Sequence, residues 1–127
     1  MKRHALGSKS LIEIGARKWF DRINGNTYHA VIVCVVNGEE RETLRSNALV
    51  YGYGDGYQQT ACELLQKAGY RMSAATVKRI NKLAGYEILR GTDITPHALH
   101  GLRQYGHMAF WSVSENCLKR ELKELVS

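Results

Sequence analysis

Proline is almost missing from this chain: Pro96 is the only one in 127 residues. With no repeat and no low-complexity run either, nothing in the sequence reads as a linker. Cysteine is scarce and odd in number. Cys34, Cys62 and Cys117 lie far apart and form no Cys-x-x-Cys pair. That excludes a structural zinc site of the usual spacing, argues against a disulfide framework, and fits a reducing cytoplasm. No apolar run approaches the roughly 18 residues that a membrane-crossing helix needs. The basic opening MKRHALGSKS is followed by no long apolar core and no small-residue cleavage site, so no secretory signal is expected.

What is present is the composition of an ordinary globule, 44% hydrophobic and 24% charged. A single domain over residues 1–127 is expected, with residues 1–9 as a basic, flexible N-terminal tail. The net charge is +6, and it is unevenly placed. Residues 1–22 carry six Lys/Arg against two acids, and residues 66–90 carry six against one. The segment between them is mildly acidic, and the remainder is balanced. Two basic segments of this kind point to an anionic partner, nucleic acid first.

The first half has β character. Ser10 to Arg22 reads as a strand, Thr27 to Val36 (TYHAVIVCVV) as the most convincing one, and Arg41 to Tyr53 as a third. Asn24-Gly25 and Asn37-Gly38 favour the primed turns of tight hairpins. The middle strand is apolar on both faces, so both need at least partial cover. The second half takes a helical period. Helices are expected at Tyr57–Ala68, stopped by Gly69, at Ala74–Ala84 behind Ser73 and stopped by Gly85, and from Thr95-Pro96 to near Gly106. Tyr86–Arg90 reads as a short strand and His107–Val113 as another. Ser112 with Glu115 suggests a capping box for a last helix carrying Leu118, Leu122 and Leu125. The expected fold is α+β: an antiparallel sheet of three or four strands, an N-terminal β-meander, with helices packed on it. Trp19, Phe20, Phe110 and Trp111 are expected in its core or rim.

The stretch LVYGYGDGYQQTA at residues 49–61 places three glycines between a strand and a helix. A dinucleotide cradle needs Gly-x-Gly-x-x-Gly in a parallel βαβ unit, and a P-loop needs Gly-Lys-Ser/Thr. Here Gly52, Gly54 and Gly56 have the wrong spacing, and Asp55 would repel a phosphate. The stretch reads instead as a sheet exit into a helix capped by Asp55 with Gln58 three residues on. A further possibility is a loop that presents Tyr51, Tyr53 and Tyr57 to a partner.

Catalytic signals are thin. His97 and His100 share a helix face, but no third metal ligand of clear spacing accompanies them, and no cofactor is expected. Cys62 beside Glu63 reads as a small core residue. His29 reads as a buried, satisfied histidine, or as a partner of Arg22 or Asp21 across the first hairpin in a small metal-independent nuclease.

Two resemblances add to this. LLQKAGYRMSAATVKRIN at residues 64–81 resembles the helix-turn-helix of lac-repressor-type regulators, through Ala68-Gly69, Ser73, Thr76, Val77 and Arg79. That resemblance implies that Ser73, Ala74, Thr76 and Lys78 face a groove, with Lys78, Arg79 and Lys82 on phosphates. Lys67, Arg71, Arg17 and Lys18 complete the expected nucleic-acid contacts. Residues 17–70 resemble a group of short uncharacterised proteins of bacteriophages, prophages and mobile elements. The resemblance rests on Lys18-Trp19-Phe20-Asp21, Asn24-Gly25-Asn26-Thr27-Tyr28-His29 and Tyr51-Gly52-Tyr53-Gly54-Asp55. It implies a context, the cytoplasm of a bacterial host, and no mechanism. The expected function is therefore a non-enzymatic accessory protein that binds DNA or RNA through segments 1–22 and 66–90. The alternative is a protein-binding, anti-CRISPR-like inhibitor of a host defence complex. The nuclease comes third.

Overall fold

The longest β-branched run in the sequence forms the middle of the fold. In the computed structural model, which describes residues 4–7, 9–106 and 108–127, it is strand β3 (Asn26–Asn37). Around it in chain order lie β1 (His4–Leu6), β2 (Ser10–Asp21), β4 (Glu40–Arg45), β5 (Val50–Tyr51), α1 (Gly56–Lys67), β6 (Tyr70–Met72), α2 (Ala74–Ala84), α3 (Pro96–Gly101), β7 (Ala109–Ser114) and α4 (Lys119–Leu125). A π-helical turn, Leu102–Gly106, continues α3. The fold is α+β.

The sheet differs from the expected three or four antiparallel strands. It has five strands and is mixed, in the order β4-β3-β2-β7, with β5 beside β3 on the same side as β4. β2 and β3 run antiparallel in unbroken register from Ser10 opposite Asn37 to Asp21 opposite Asn26. β7 lies parallel to β2, from Ile12 opposite Ala109 to Arg17 opposite Ser114. Part of the stretch read as an N-terminal tail is a strand as well: β1 pairs in parallel with β6 in a separate two-stranded sheet.

The two Asn-Gly signals produce different turns. Only Gly38 and Glu39 separate β3 from β4, and φ is positive at Gly38 (67°) but not at Glu39. That is the type II′ pattern, not the type I′ turn that Asn-Gly suggests. The first hairpin has a longer loop. Its Asp21 carboxylate accepts from the backbone N–H of Ile23 at 3.0 Å and from Asn24 Nδ2 at 2.8 Å. The bond from Asn24 is the main reason why the Asp21 pKa falls below the usual value.

Alternation along β2 and β3 assigns their two faces. Ile12, Ile14, Ala16, Val31, Val33 and Val35 are buried in one cluster with Ala61, Cys62 and Leu65 of α1, Ile80 of α2 and Leu99 of α3. Each fully buried Val, Ile or Leu contributes about 1.5–3 kcal/mol. The opposite face is covered only at one end, where Ala30 packs under Cys117 and Leu122, with Trp19 and Tyr28 beside them. Ile32, Cys34 and Val36 on that face stay half-exposed.

Three expected elements came out differently. The third strand is broken into β4 and β5 by a bend at residues 46–49. Tyr86–Arg90 is not a strand but an irregular segment hung on one side chain. Asn81 accepts from the Ile88 and Leu89 N–H groups at 3.0 and 2.9 Å and donates to the Leu89 carbonyl at 3.0 Å. Ser112 belongs to β7 and caps nothing. The last helix starts later, where the Glu121 carboxylate reaches back to the Leu118 N–H at 2.8 Å. His107, expected to open the last strand, lies outside the described residues. No helix among the described residues is long and apolar enough to cross a membrane.

Candidate nucleic-acid interface

The second basic segment is a helix–strand–helix. β6 stands where a helix-turn-helix would have its turn, and its pairing with β1 separates α1 from α2. Of the groove-facing set implied by that resemblance, Ala74 and Lys78 are exposed, whereas Ser73 and Thr76 are engaged. The Ser73 hydroxyl is the N-cap, accepting from Thr76 N–H at 3.1 Å, and Thr76 is buried. What α2 presents to solvent is its other side. Thr76, Val77 and Ile80 face the core, so Ala74, Lys78, Arg79 and Lys82 are exposed, with Lys67 exposed at the end of α1. Among the described residues no acid pairs with Lys67, Lys78, Arg79 or Lys82. Arg71 is half-buried, 3.7 Å from Asp93, and donates to the Tyr70 carbonyl at 2.8 Å.

Two cations of the first segment, Arg17 and Lys18, are engaged inside the fold, whereas Lys9 and Arg22 are exposed. Arg17 donates to the Glu121 backbone carbonyl at 2.7 Å and so ties β2 to α4. Lys18 lies 3.3 Å from the Glu115 carboxylate and 5.2 Å from the centre of the Tyr57 ring.

The glycine loop has a structural purpose that the phosphate comparison does not suggest. Gly52 N–H donates to the Thr27 carbonyl at 3.1 Å, which lays the loop over His29. A Cβ at Gly52 would come within 3.0 Å of His29 Cε1, and one at Gly56 within 3.6 Å. His29 is 2% exposed. Its Nε2 lies 2.7 Å from the Thr60 hydroxyl, and its ring makes a second bond to the Gly52 backbone. Burial, aided by the positive Lys18 across the strand pair, lowers its pKa from the ordinary 6.5 against the effect of that second bond. The ring is neutral and satisfied, and neither Arg22 nor Asp21 is its partner.

The cap read at Asp55 is only positional. Its side chain makes no cap hydrogen bond, and Gln58 is buried with its amide 3.4 Å from the Tyr57 hydroxyl. Tyr57 is also misassigned as a partner contact: it is 6% exposed and packs edge-on against Trp111. Cys62 is a core residue whose thiol burial pushes up to about 12, far from the thiolate that a nucleophile needs.

Tyr51 and Tyr53 are different. They are 57% and 56% exposed and end a row of rings that crosses three strands. Trp19 stacks on Tyr28 with centroids 5.7 Å apart, Tyr28 meets Tyr51 edge-on at 5.8 Å, and Tyr51 meets Tyr53 at 5.4 Å. The Tyr51 hydroxyl donates to that of Tyr53 at 2.9 Å, and this bond raises its pKa. Cross-strand alternation predicts Trp19 beside Tyr28; the approach of Tyr51 depends on the bend that breaks the third strand.

His97 and His100 are exposed, and His100 lies against Trp111 at 4.7 Å. Among the described residues no group of three His, Cys, Asp or Glu side chains could hold a metal. No family model matches the chain, and neither any curated protein nor any solved structure is similar to it.

Proposed function

We propose that this is a small, non-enzymatic accessory protein of phage or mobile-element type that binds nucleic acid, with the outer side of α2 as its main phosphate-contacting surface. The observation that carries the reading is the unneutralised set Lys78, Arg79 and Lys82 on one exposed helix side, in a basic segment that also exposes Lys67 at the end of α1. A solvated lysine face is common, but this one belongs to a chain of net charge +6, and Arg17 and Lys18 of the other basic segment are engaged within the fold. Contacts to phosphates position a protein without reading sequence, so affinity that depends little on sequence and steeply on salt is expected.

The test is a titration of the protein against labelled duplex and single-stranded oligonucleotides. Binding detectable at about 50 mM salt and lost at several-fold higher salt supports the reading. No affinity for either at the lower salt sinks it. A second reading, a protein-binding inhibitor of a host defence complex, is favoured by the apolar side chains Phe20, Ile23 and Leu118, exposed together near the tip of the first hairpin. One stoichiometric host protein that co-purifies after nuclease treatment would favour it over the first.

A further inference from the structure

We infer that the ring row Trp19–Tyr28–Tyr51–Tyr53 is a stacking platform for single-stranded nucleic acid, with Arg22, Lys119 and Arg120 holding the phosphates. This rests on the nucleic-acid reading above but uses a different surface from α2. Single-strand binders combine aromatic faces, on which successive bases stack, with cations that follow the backbone. Both are present at this end of the sheet.

The row does more than brace the sheet. Trp19 and Tyr28 are half-buried and form an ordinary cross-strand pair. Tyr51 and Tyr53 lie beyond the cover of α4, and their hydroxyls bond to each other instead of to the protein interior. On the Trp19 side the row continues into a groove of about 530 Å³, lined by Trp19, Phe20, Arg22, Ile23, Asn116 and Leu118 among others.

The local charges suit phosphate. Lys119 stands over the Trp19 ring, 5.5 Å from its centre, and Arg22 and Arg120 are exposed. The acids here are largely engaged: Asp21 binds its own turn, Glu115 pairs with Lys18, and Glu121 holds the Leu118 N–H. Asp21 also feels the charge of Lys119. Among the described residues no acid forms an ion pair with Arg22, Lys119 or Arg120. Asp55, two residues beyond Tyr53, is the exposed acid at the opposite end, so the backbone of a bound strand follows the cations at the Trp19 end.

The experiment compares a fluorescein-labelled oligo-dT of about ten nucleotides with a duplex of equal length. The proteins are the wild type, Tyr51→Ala/Tyr53→Ala and Tyr51→Phe/Tyr53→Phe, each checked for an unchanged urea midpoint. The expected result is tighter binding of the single strand. Affinity for it falls about 10- to 100-fold in the alanine pair and is retained within about threefold in the phenylalanine pair, because stacking needs the rings and not the hydroxyls. A wild type that binds only duplex, or an alanine pair that binds oligo-dT as the wild type does, overturns the platform while the reading built on α2 stands. A wild type that binds neither overturns both.

Discussion

Residues 1–22 and 66–90 have nearly the same charge on paper, yet Arg17 and Lys18 of the first and the α2 cations of the second meet opposite fates in the fold. Lys78, Arg79 and Lys82 stand on the solvent side of a helix whose inner side is held by Val77 and Ile80. Arg17 and Lys18 lie in β2, an inner strand of the sheet, and bind a backbone carbonyl, a carboxylate and an aromatic ring. Formal charge is thus a poor guide to available charge. A strand residue in a covered sheet is drawn into local bonding, whereas the outer side of a surface helix has nothing to bond to but solvent or a ligand.

The largest expected effect separates the two regions by affinity. Lys78→Glu/Arg79→Glu/Lys82→Glu should weaken oligonucleotide binding by about 100-fold or more at about 50 mM salt and leave the urea midpoint nearly unchanged, since all three side chains are exposed. Equal losses from Arg17→Ala would break the contrast. Stability should show the reverse order. Gly52→Ala drives a methyl group against the buried His29 ring and should cost about 1–3 kcal/mol in urea unfolding. A variant as stable as the wild type would mean that the ring yields without cost.

Smaller is the effect of Arg17→Ala, about 1 kcal/mol for its bond to the Glu121 carbonyl, with affinity changed by less than about twofold. Smallest is Lys18→Ala, at about 0–1 kcal/mol, because Glu115 is largely exposed. The hairpin side should also carry a pH dependence that α2 lacks. The His29 pKa is lowered in the folded protein, so between that lower value and 6.5 the unfolded chain binds more protons. Stability therefore falls as pH drops below 6.5 toward the folded value and does not depend on this group above it. Urea midpoints against pH for wild type and His29→Asn check this; identical slopes would show that another group titrates.

Much of the fold was legible in residues close together in the chain. The helix starts at Ser73 and Thr95-Pro96, the stops at Gly69 and Gly85, and the β-branched middle strand all follow from local backbone chemistry. The sheet order was not legible. β7 joins β2 from far along the chain, and a parallel pairing leaves no turn signal between the two strands. The irregular run at residues 86–90 looks like a strand in isolation because Ile88 and Leu89 are apolar, yet Asn81 takes up the N–H groups that a neighbouring strand would have needed.

The candidate sites divide in the same way. The basic character of α2 is visible in sequence, and its helical period separates Val77 and Ile80 from Lys78, Arg79 and Lys82. The glycine loop was the harder case. Its spacing rules out a phosphate cradle by itself, but the reason for glycine at position 52 is a histidine more than twenty residues earlier in the chain.

By itself the sequence determined the strand-then-helix order, the bounds of α1 and α2, the start of α3 and the excess of positive charge. These are matters of local conformation and composition, which neighbouring residues settle. Only the tertiary structure decided which charges remain free, that Tyr57 is buried while Tyr51 and Tyr53 are exposed, and that rings from β2, β3 and β5 line up in one row. Those depend on which distant segments pack together, because the same side chain becomes a core residue or a surface one according to what the sheet and α4 place over it.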